Sequence, residues 1–301
     1  MKIGSKLSPL FLKIVYPLIS QCYYSLPYFK GSTKVFRSLF NFLLLYTGPA
    51  KSALGFIWYL HSRESLWTFL VSCEKFTTKK LIKELLNAET FICVGANFGW
   101  YPLVSASTNP SLKVFGFECN SEVLSKFERN VTLNNFQVTI GDFAISDHKG
   151  KLNLYMPILG NDGMSTLHPI HGAGSDVRLV EEVRCTTLDV YFGNMIEELG
   201  RTVILMDIEG SEMTALLGAT TLLAELHPVL ICEINPAMIA ASGHNYLDLF
   251  AKLAFAGYSA FWIDERGPLT EVTDPRDLPH TLVLPTGTGA NYIFTKSIHI
   301  K

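Results

Sequence analysis

The sequence predicts an α/β fold, a mostly parallel sheet with helices on both faces. Three observations predict it. The runs KVFGFEC (113–119), TVILMDI (202–208) and PVLICEI (228–234) are continuously apolar and each carries an acid at its end, as strands buried on both faces do. Stretches with apolar residues at helical spacing lie between them. The first strand–helix unit, FICVGANFGWYPL (91–103), passes from an apolar strand through a glycine turn into a helix.

Each element follows from its residues. The chain has 301 residues, 48% hydrophobic and 17% charged, with a mean hydropathy of +0.24, enough to bury a large core. Residues 1–63 carry eight basic residues and no acid, which leaves 17 basic against 27 acidic in the remainder. A basic, apolar N-terminus on an acidic body suits an anionic membrane surface; lysines scattered in this way do not suit nucleic acid. The stretch 9–29 is interrupted by Lys13, Gln21 and three prolines, and LFNFLLLY (39–46) is far short of the ~20 residues of a span, so an interfacial helical extension is expected over 1–74. No cleavage site of a signal peptide is read. From 75 onward helix and strand alternate: KKLIKELLNA (79–88) is helical, SEVLSKFERNVTLNN (121–135) is a helix capped at Asn120 or Ser121, and YLDLFAKLAFAGY (246–258) is a helix stopped by glycine. SAFWID follows as a strand, and NYIFTK (291–296) is expected as a late strand at an antiparallel edge. Residues 156–184, rich in Gly, His, Ser and Asp, read as a long loop. The six cysteines form no C-x-x-C pair and no zinc spacing, which fits buried thiols in the reducing cytoplasm.

In an open α/β sheet ligands bind outside the carboxyl ends of the strands. Glu118, Asp142, Asp207 with Glu209, and Glu233 all fall there. Gly95, Ala96, Asn97 and Gly99 form the turn after the first strand, and Asn97 tolerates positive φ where related turns put glycine. Glu118 follows Gly99 by 19 residues, the spacing at which nucleoside-binding folds place a carboxylate on ribose hydroxyls. A structural turn beside a solvated acid is the plainer alternative. The third glycine of a dinucleotide fingerprint is missing, since Pro102 stands there, so a nucleoside ligand that needs no phosphate cradle, S-adenosylmethionine, fits better than NAD. Asp142 would lie near the adenine amino group.

These blocks, with DFAISDHKGKLNLY, GMSTL, TTLDV, ILMDIEGSEMTALLGA and ANYIF, resemble the FkbM family of S-adenosylmethionine-dependent methyltransferases over about residues 75–296. The resemblance implies a Rossmann-like class I methyltransferase fold with a seven-stranded sheet in a domain spanning 75–301. It also implies O-methylation of a sugar, glycolipid or natural-product hydroxyl. Two positions depart from the family pattern: Cys93 stands where the turn usually begins with Asp, and Cys119 where Pro usually follows Glu118.

For catalysis, Asp207 would orient or deprotonate the acceptor hydroxyl, with Glu209 beside it as a second catalytic acid or as a helix N-terminal acid favoured by the dipole. Glu233 would bind acceptor or merely end its strand. His168 and His171, in the long loop, would form part of a substrate lid, or stand inert on the surface. No metal site is expected. The alternatives are an N-methyltransferase and a catalytically silent methyltransferase-like binding protein, the latter favoured by Cys93. The expected location is cytoplasmic, peripheral on the inner face of a membrane.

Overall fold

The computed structural model describes residues 48–71, 74–157, 165–168, 177–264, 268–277 and 289–296. The first described elements are a hairpin, β1 (Gly48–Lys51) and β2 (Ile57–Leu60), followed by helices α1 (Arg63–Val71) and α2 (Lys75–Leu85). Next come β3 (Thr90–Val94), α3 (Trp100–Thr108), β4 (Lys113–Phe117), α4 (Ser121–Asn134) and β5 (Val138–Gly141). A second, smaller sheet is built from β6 (Ala144–Ile145), β7 (Gly150–Pro157) and β8 (Val177–Thr186). The main unit resumes with α5 (Leu188–Phe192), β9 (Thr202–Met206), α6 (Glu212–Leu217), α7 (Thr220–Leu226), β10 (Val229–Ile234), α8 (Pro236–Ala241) and α9 (Tyr246–Phe255). It closes with β11 (Ser259–Trp262), the two-residue β12 (Thr270–Glu271) and β13 (Ala290–Thr295).

The main sheet runs β12-β11-β13-β10-β9-β3-β4-β5, with β10, β9, β3, β4 and β5 parallel in pairs. Seven strands plus the short β12 make up the expected sheet. Strands β3 and β9 are buried at every position, because helices cover both faces and no alternation is needed. β13 is antiparallel as expected but is not an edge strand. It lies between β10 and β11, and Tyr292, Ile293 and Phe294 are buried there on both sides.

Two expectations are corrected. The stretch 177–184 belongs to a ten-residue strand rather than a loop: β8 pairs antiparallel with β7, and Val183 and Cys185 pack with Ala144 and Leu154 while its charged residues face outward. The composition suggested a loop because only one face of this small sheet is apolar. Within the extension expected to be helical, residues 48–60 form a hairpin, while Arg63–Val71 is a helix as expected. Trp58 is fully buried and meets Trp100 of α3 edge-to-face at 5.3 Å. The side chains of Asn130 and Asn134 on α4 grip β2 by accepting from the amides of Tyr59 (2.9 Å) and Ile57 (2.6 Å), so the hairpin belongs to the main core. The basic stretch 1–47 and His171 lie outside the described residues.

Candidate active site

The sheet reverses its order at β3, from which the chain steps first to β4 and β5 and later to β9 and β10, and the site forms outside the carboxyl ends of β3 and β9. The turn after β3 is held by backbone contacts: the Gly95 and Ala96 amides donate to the Phe117 carbonyl at 3.0 and 2.8 Å. Asn97 is left-handed, at φ 49°, and its side-chain oxygen accepts the Phe98 amide at 2.8 Å. A Cβ on Gly95 would run into the Asp207 carbonyl oxygen, and one on Gly99 would enter the Phe127 ring. Glycine is therefore required at both positions, once for strand against turn and once for helix against helix.

Glu118 completes this cradle. One carboxylate oxygen accepts the Asn97 amide at 2.9 Å and the other accepts the Asn120 amide at 2.8 Å. Burial pushes its pKa up, and the amides of Asn120, Asn97 and Cys119 pull it back down. Each oxygen keeps acceptor capacity for a hydroxyl. Glu118 as a residue is 9% exposed, and its carboxylate is held inside the cradle. Asp142 follows β5 on the same edge, but its carboxylate is exposed and both oxygens take Arg184 at 2.6 Å.

Asp207, Glu209 and Glu233 converge, with one carboxylate oxygen from each lying within 4.8 Å of the others. Strand alternation is not what brings the first two together, since β9 ends at Met206 and Glu209 turns back at φ 51°. Burial raises the pKa of Asp207. Burial also raises that of Glu233, and the two acids share a hydrogen bond, so they titrate as one coupled pair that holds a proton between them. Glu209 is pushed up to about 8 by burial and then by Asp207, Glu212 and Glu74. Carboxylates spaced in this way can share protons, accept one from a hydroxyl, or hold a divalent cation.

Several partners were not legible in the sequence. Glu212 opens α6 and caps its own approach, with one oxygen accepting the Ile208 and Gly210 amides at 3.1 and 3.2 Å; burial raises its pKa to about 7. Glu74 precedes α2 and accepts the Tyr101 hydroxyl at 2.9 Å, and its charge is felt at Glu209 and Glu233. The long loop returns to the site through Ser165 and Thr166. Ser165 Oγ takes the Asn120 side chain at 2.9 Å, and Thr166 Oγ1 donates to the Glu209 carbonyl at 2.9 Å. Two adjacent residues thus tie the Glu118 side to the acid side. His168 is half-buried next to this strap, and burial and then His244 lower its pKa. Cys93 lies under the turn. Burial raises its thiol pKa well above the ordinary value, followed by Asp207 and Glu118, so it remains neutral and adds no third charge between them.

The family model of the methyltransferase FkbM domain matches residues 94–260, more than half of the chain. A search of curated proteins returns no match. Among solved structures, methyltransferase FkbM from Methylobacillus flagellatus aligns at 15% identity and a TM-score of 0.43, over 87% of this chain. This chain spans 60% of the length of that protein. A SAM-dependent O-methyltransferase from Thermotoga maritima aligns at 13% identity and a TM-score of 0.38, covering 85% of this chain and 80% of its own. An O-methyltransferase from Bacillus cereus in complex with SAH aligns at 10% identity and 0.40, covering 95% and 98%.

Proposed function

Because the chain belongs to the FkbM methyltransferase family, we propose that it methylates a hydroxyl of a sugar, glycolipid or natural product with S-adenosylmethionine as donor. The observation that carries this reading is the juxtaposition at one sheet edge of a glycine turn locked by Glu118 and a cluster of three converging carboxylates, Asp207, Glu209 and Glu233. Glu118 supports the donor, because its carboxylate keeps acceptor capacity for two ribose hydroxyls beside the two amides it holds. In this reading Gly95, Ala96, Asn97 and Gly99 shape the donor pocket, and Asp142 would meet the adenine only by yielding Arg184. S-adenosylmethionine supplies an electrophilic methyl group when bound.

The remaining chemistry belongs to the chain. An alcohol is a poor nucleophile, so its proton must leave as the new bond forms, and in this reading Asp207 takes it. Glu233, hydrogen-bonded to Asp207 within the coupled pair, would steady it. Glu209 and Glu74 would hold neighbouring hydroxyls of a polyol acceptor. His168, with His171 further along the loop, would border the acceptor from the strap. The acid cluster would also attract an ammonium group, and N-methylation is the second reading on that ground.

Calorimetry with S-adenosylmethionine, S-adenosylhomocysteine and NAD tests the donor assignment: the first two should bind and NAD should not. Glu118→Ala removes the acceptor of two ribose hydroxyls and should weaken S-adenosylhomocysteine binding ~10–150-fold, equivalent to ~1.5–3 kcal/mol. Unchanged affinity in a folded variant would remove Glu118 from the ribose site.

The charge asymmetry supports a second, peripheral role for residues 1–63, reversible attachment of a cytoplasmic enzyme to an anionic membrane. Among the described residues no helix is long and apolar enough to cross a membrane. Deleting residues 1–29 should abolish co-sedimentation with anionic liposomes at low salt and leave donor binding intact. A full-length protein that ignores such liposomes contradicts the attachment.

A further inference from the structure

Glu209 takes its place in the acid cluster in a backbone conformation that side chains rarely adopt. Its φ of 51° is left-handed, and a non-glycine residue persists there only when its surroundings impose it. The neighbouring peptide units show what imposes it. The Ile208 and Gly210 amides both donate to one oxygen of Glu212, at 3.1 and 3.2 Å. The Ile208 carbonyl accepts the Ser211 amide at 3.3 Å. The Glu209 carbonyl accepts the Thr166 hydroxyl at 2.9 Å. The N–H and C=O of a trans peptide point in opposite directions, so the unit joining Glu209 to Gly210 is gripped at both ends, by Glu212 and by Thr166.

The two grips differ in origin. Glu212 belongs to the same turn, whereas Thr166 lies 43 residues before Glu209 and is anchored on the small sheet. Its amide donates to the Tyr155 carbonyl and its carbonyl accepts the Tyr155 amide, both at 2.9 Å, which bridges Thr166 to β7. The hydroxyl accepts the His168 amide at 3.1 Å, and its one proton goes to the Glu209 carbonyl rather than to the His168 carbonyl at 3.3 Å. Thr166 is buried, and its β-branch restricts the rotation of that hydroxyl. The carboxyl held in this way has a position-dependent character. Burial, followed by Asp207, Glu212 and Glu74, pushes the Glu209 pKa up to about 8, and one oxygen lies within 4.8 Å of Asp207 and Glu233.

Resting on the proposed function, we propose that Thr166 is a positioning residue for the acceptor half of the site: its hydroxyl fixes the Glu209–Gly210 peptide and so keeps the Glu209 carboxyl converged on Asp207 and Glu233. Thr166 acts through Glu209 and touches no reacting group itself. Valine in its place would keep the volume and the bridge to Tyr155 but leave the Glu209 carbonyl without its donor. The peptide would then be held from the Glu212 end alone, and Glu209 could swing toward water.

The test uses the full-length protein carrying 13C at the glutamate side-chain carboxyls, followed by NMR across pH, with Glu209→Gln identifying the resonance. Glu209 of the wild type should titrate near pH 8. In Thr166→Val its midpoint should fall by about one pH unit or more toward the ordinary glutamate range, because the carboxyl regains water and leaves its charged neighbours. Thr166→Ser keeps the hydroxyl and should restore the wild-type midpoint. S-adenosylhomocysteine affinity should stay within ~2-fold in both variants, since the contact with Asn120 belongs to Ser165. If valine prevents folding, Thr166→Ala, which leaves room for a water between the two backbone groups, carries the same expectation. A folded Thr166→Val or Thr166→Ala protein with a lower melting temperature and an unchanged Glu209 midpoint overturns the proposal, leaving Thr166 a purely structural residue. A midpoint that stays low in Thr166→Ser overturns it as well, because the hydroxyl is then not the cause. Wild type that binds no S-adenosylhomocysteine would instead remove the methyltransferase reading, and with it the acceptor role of Glu209, whatever the midpoint does.

Discussion

Asp207→Asn should lower turnover by ~10²–10⁴-fold, the usual contribution of a general base, while S-adenosylhomocysteine affinity changes only a few-fold. The substitution keeps the size and removes the basicity. Glu233→Gln should be milder, because its amide can donate a hydrogen bond to the ionised Asp207. The pH dependence has a definite sign. The base must be ionised, and burial raises the pKa of Asp207, so turnover of the wild type should rise with pH as the coupled acids give up protons; the Asn variant should lose that limb. The measurement needs an acceptor identified by screening hydroxylated glycans and lipids. Wild-type turnover in the Asn variant would show that Asp207 is not the base. A loss of donor binding would move Asp207 into the cofactor site. Inhibition by a chelator, reversed by a divalent cation, would make the three acids cation ligands.

Gly95→Ala should be the most damaging small change to the fold. Gly95 has φ +81°, and an added Cβ would meet the Asp207 carbonyl and the Ile208 side chain, neither of which is free to retreat. A cost of ~3 kcal/mol or more is expected, and a melting temperature lower by roughly 6–12 °C. Gly243→Ala is the internal control. Its φ is +82°, but nothing lies within 4 Å of the added carbon, so only the conformational cost of about 1–2 kcal/mol applies. The difference between the two isolates the close approach of β3 and β9. Equal melting temperatures would refute that packing argument.

The parts of the site legible in the sequence are those written locally. Glu118, Asp207 and Glu233 each end an apolar run, and the glycines stand beside the first of them, so strand and turn chemistry were enough to place them on one edge. The remainder depends on which distant segments meet. Glu74 was read as the end of an extension, and only the packing of α2 against α3 brings it to Tyr101. Glu212 carries no signal of its own in the sequence, because its carboxylate accepts the Ile208 and Gly210 amides only through the turn that precedes it. Asp142 appeared available because Arg184, which takes it, is 42 residues away on a strand mistaken for a loop. Ser165 and Thr166 lay in that same stretch. The order of the sheet was equally unreadable, because NYIFTK reads the same at an edge as between two partners.

That order has a consequence for biosynthesis. β13 leaves the ribosome after β10 and β11, yet it stands between them and pairs with both. Until it arrives, β10 and β11 must be kept one strand apart, each with an unpaired apolar edge facing an empty slot. Open edges of this kind are the templates on which nascent chains join one another. Tyr292, Ile293 and Phe294 fill that slot and are almost completely buried in it, so both open edges close only when residues 290–295 dock.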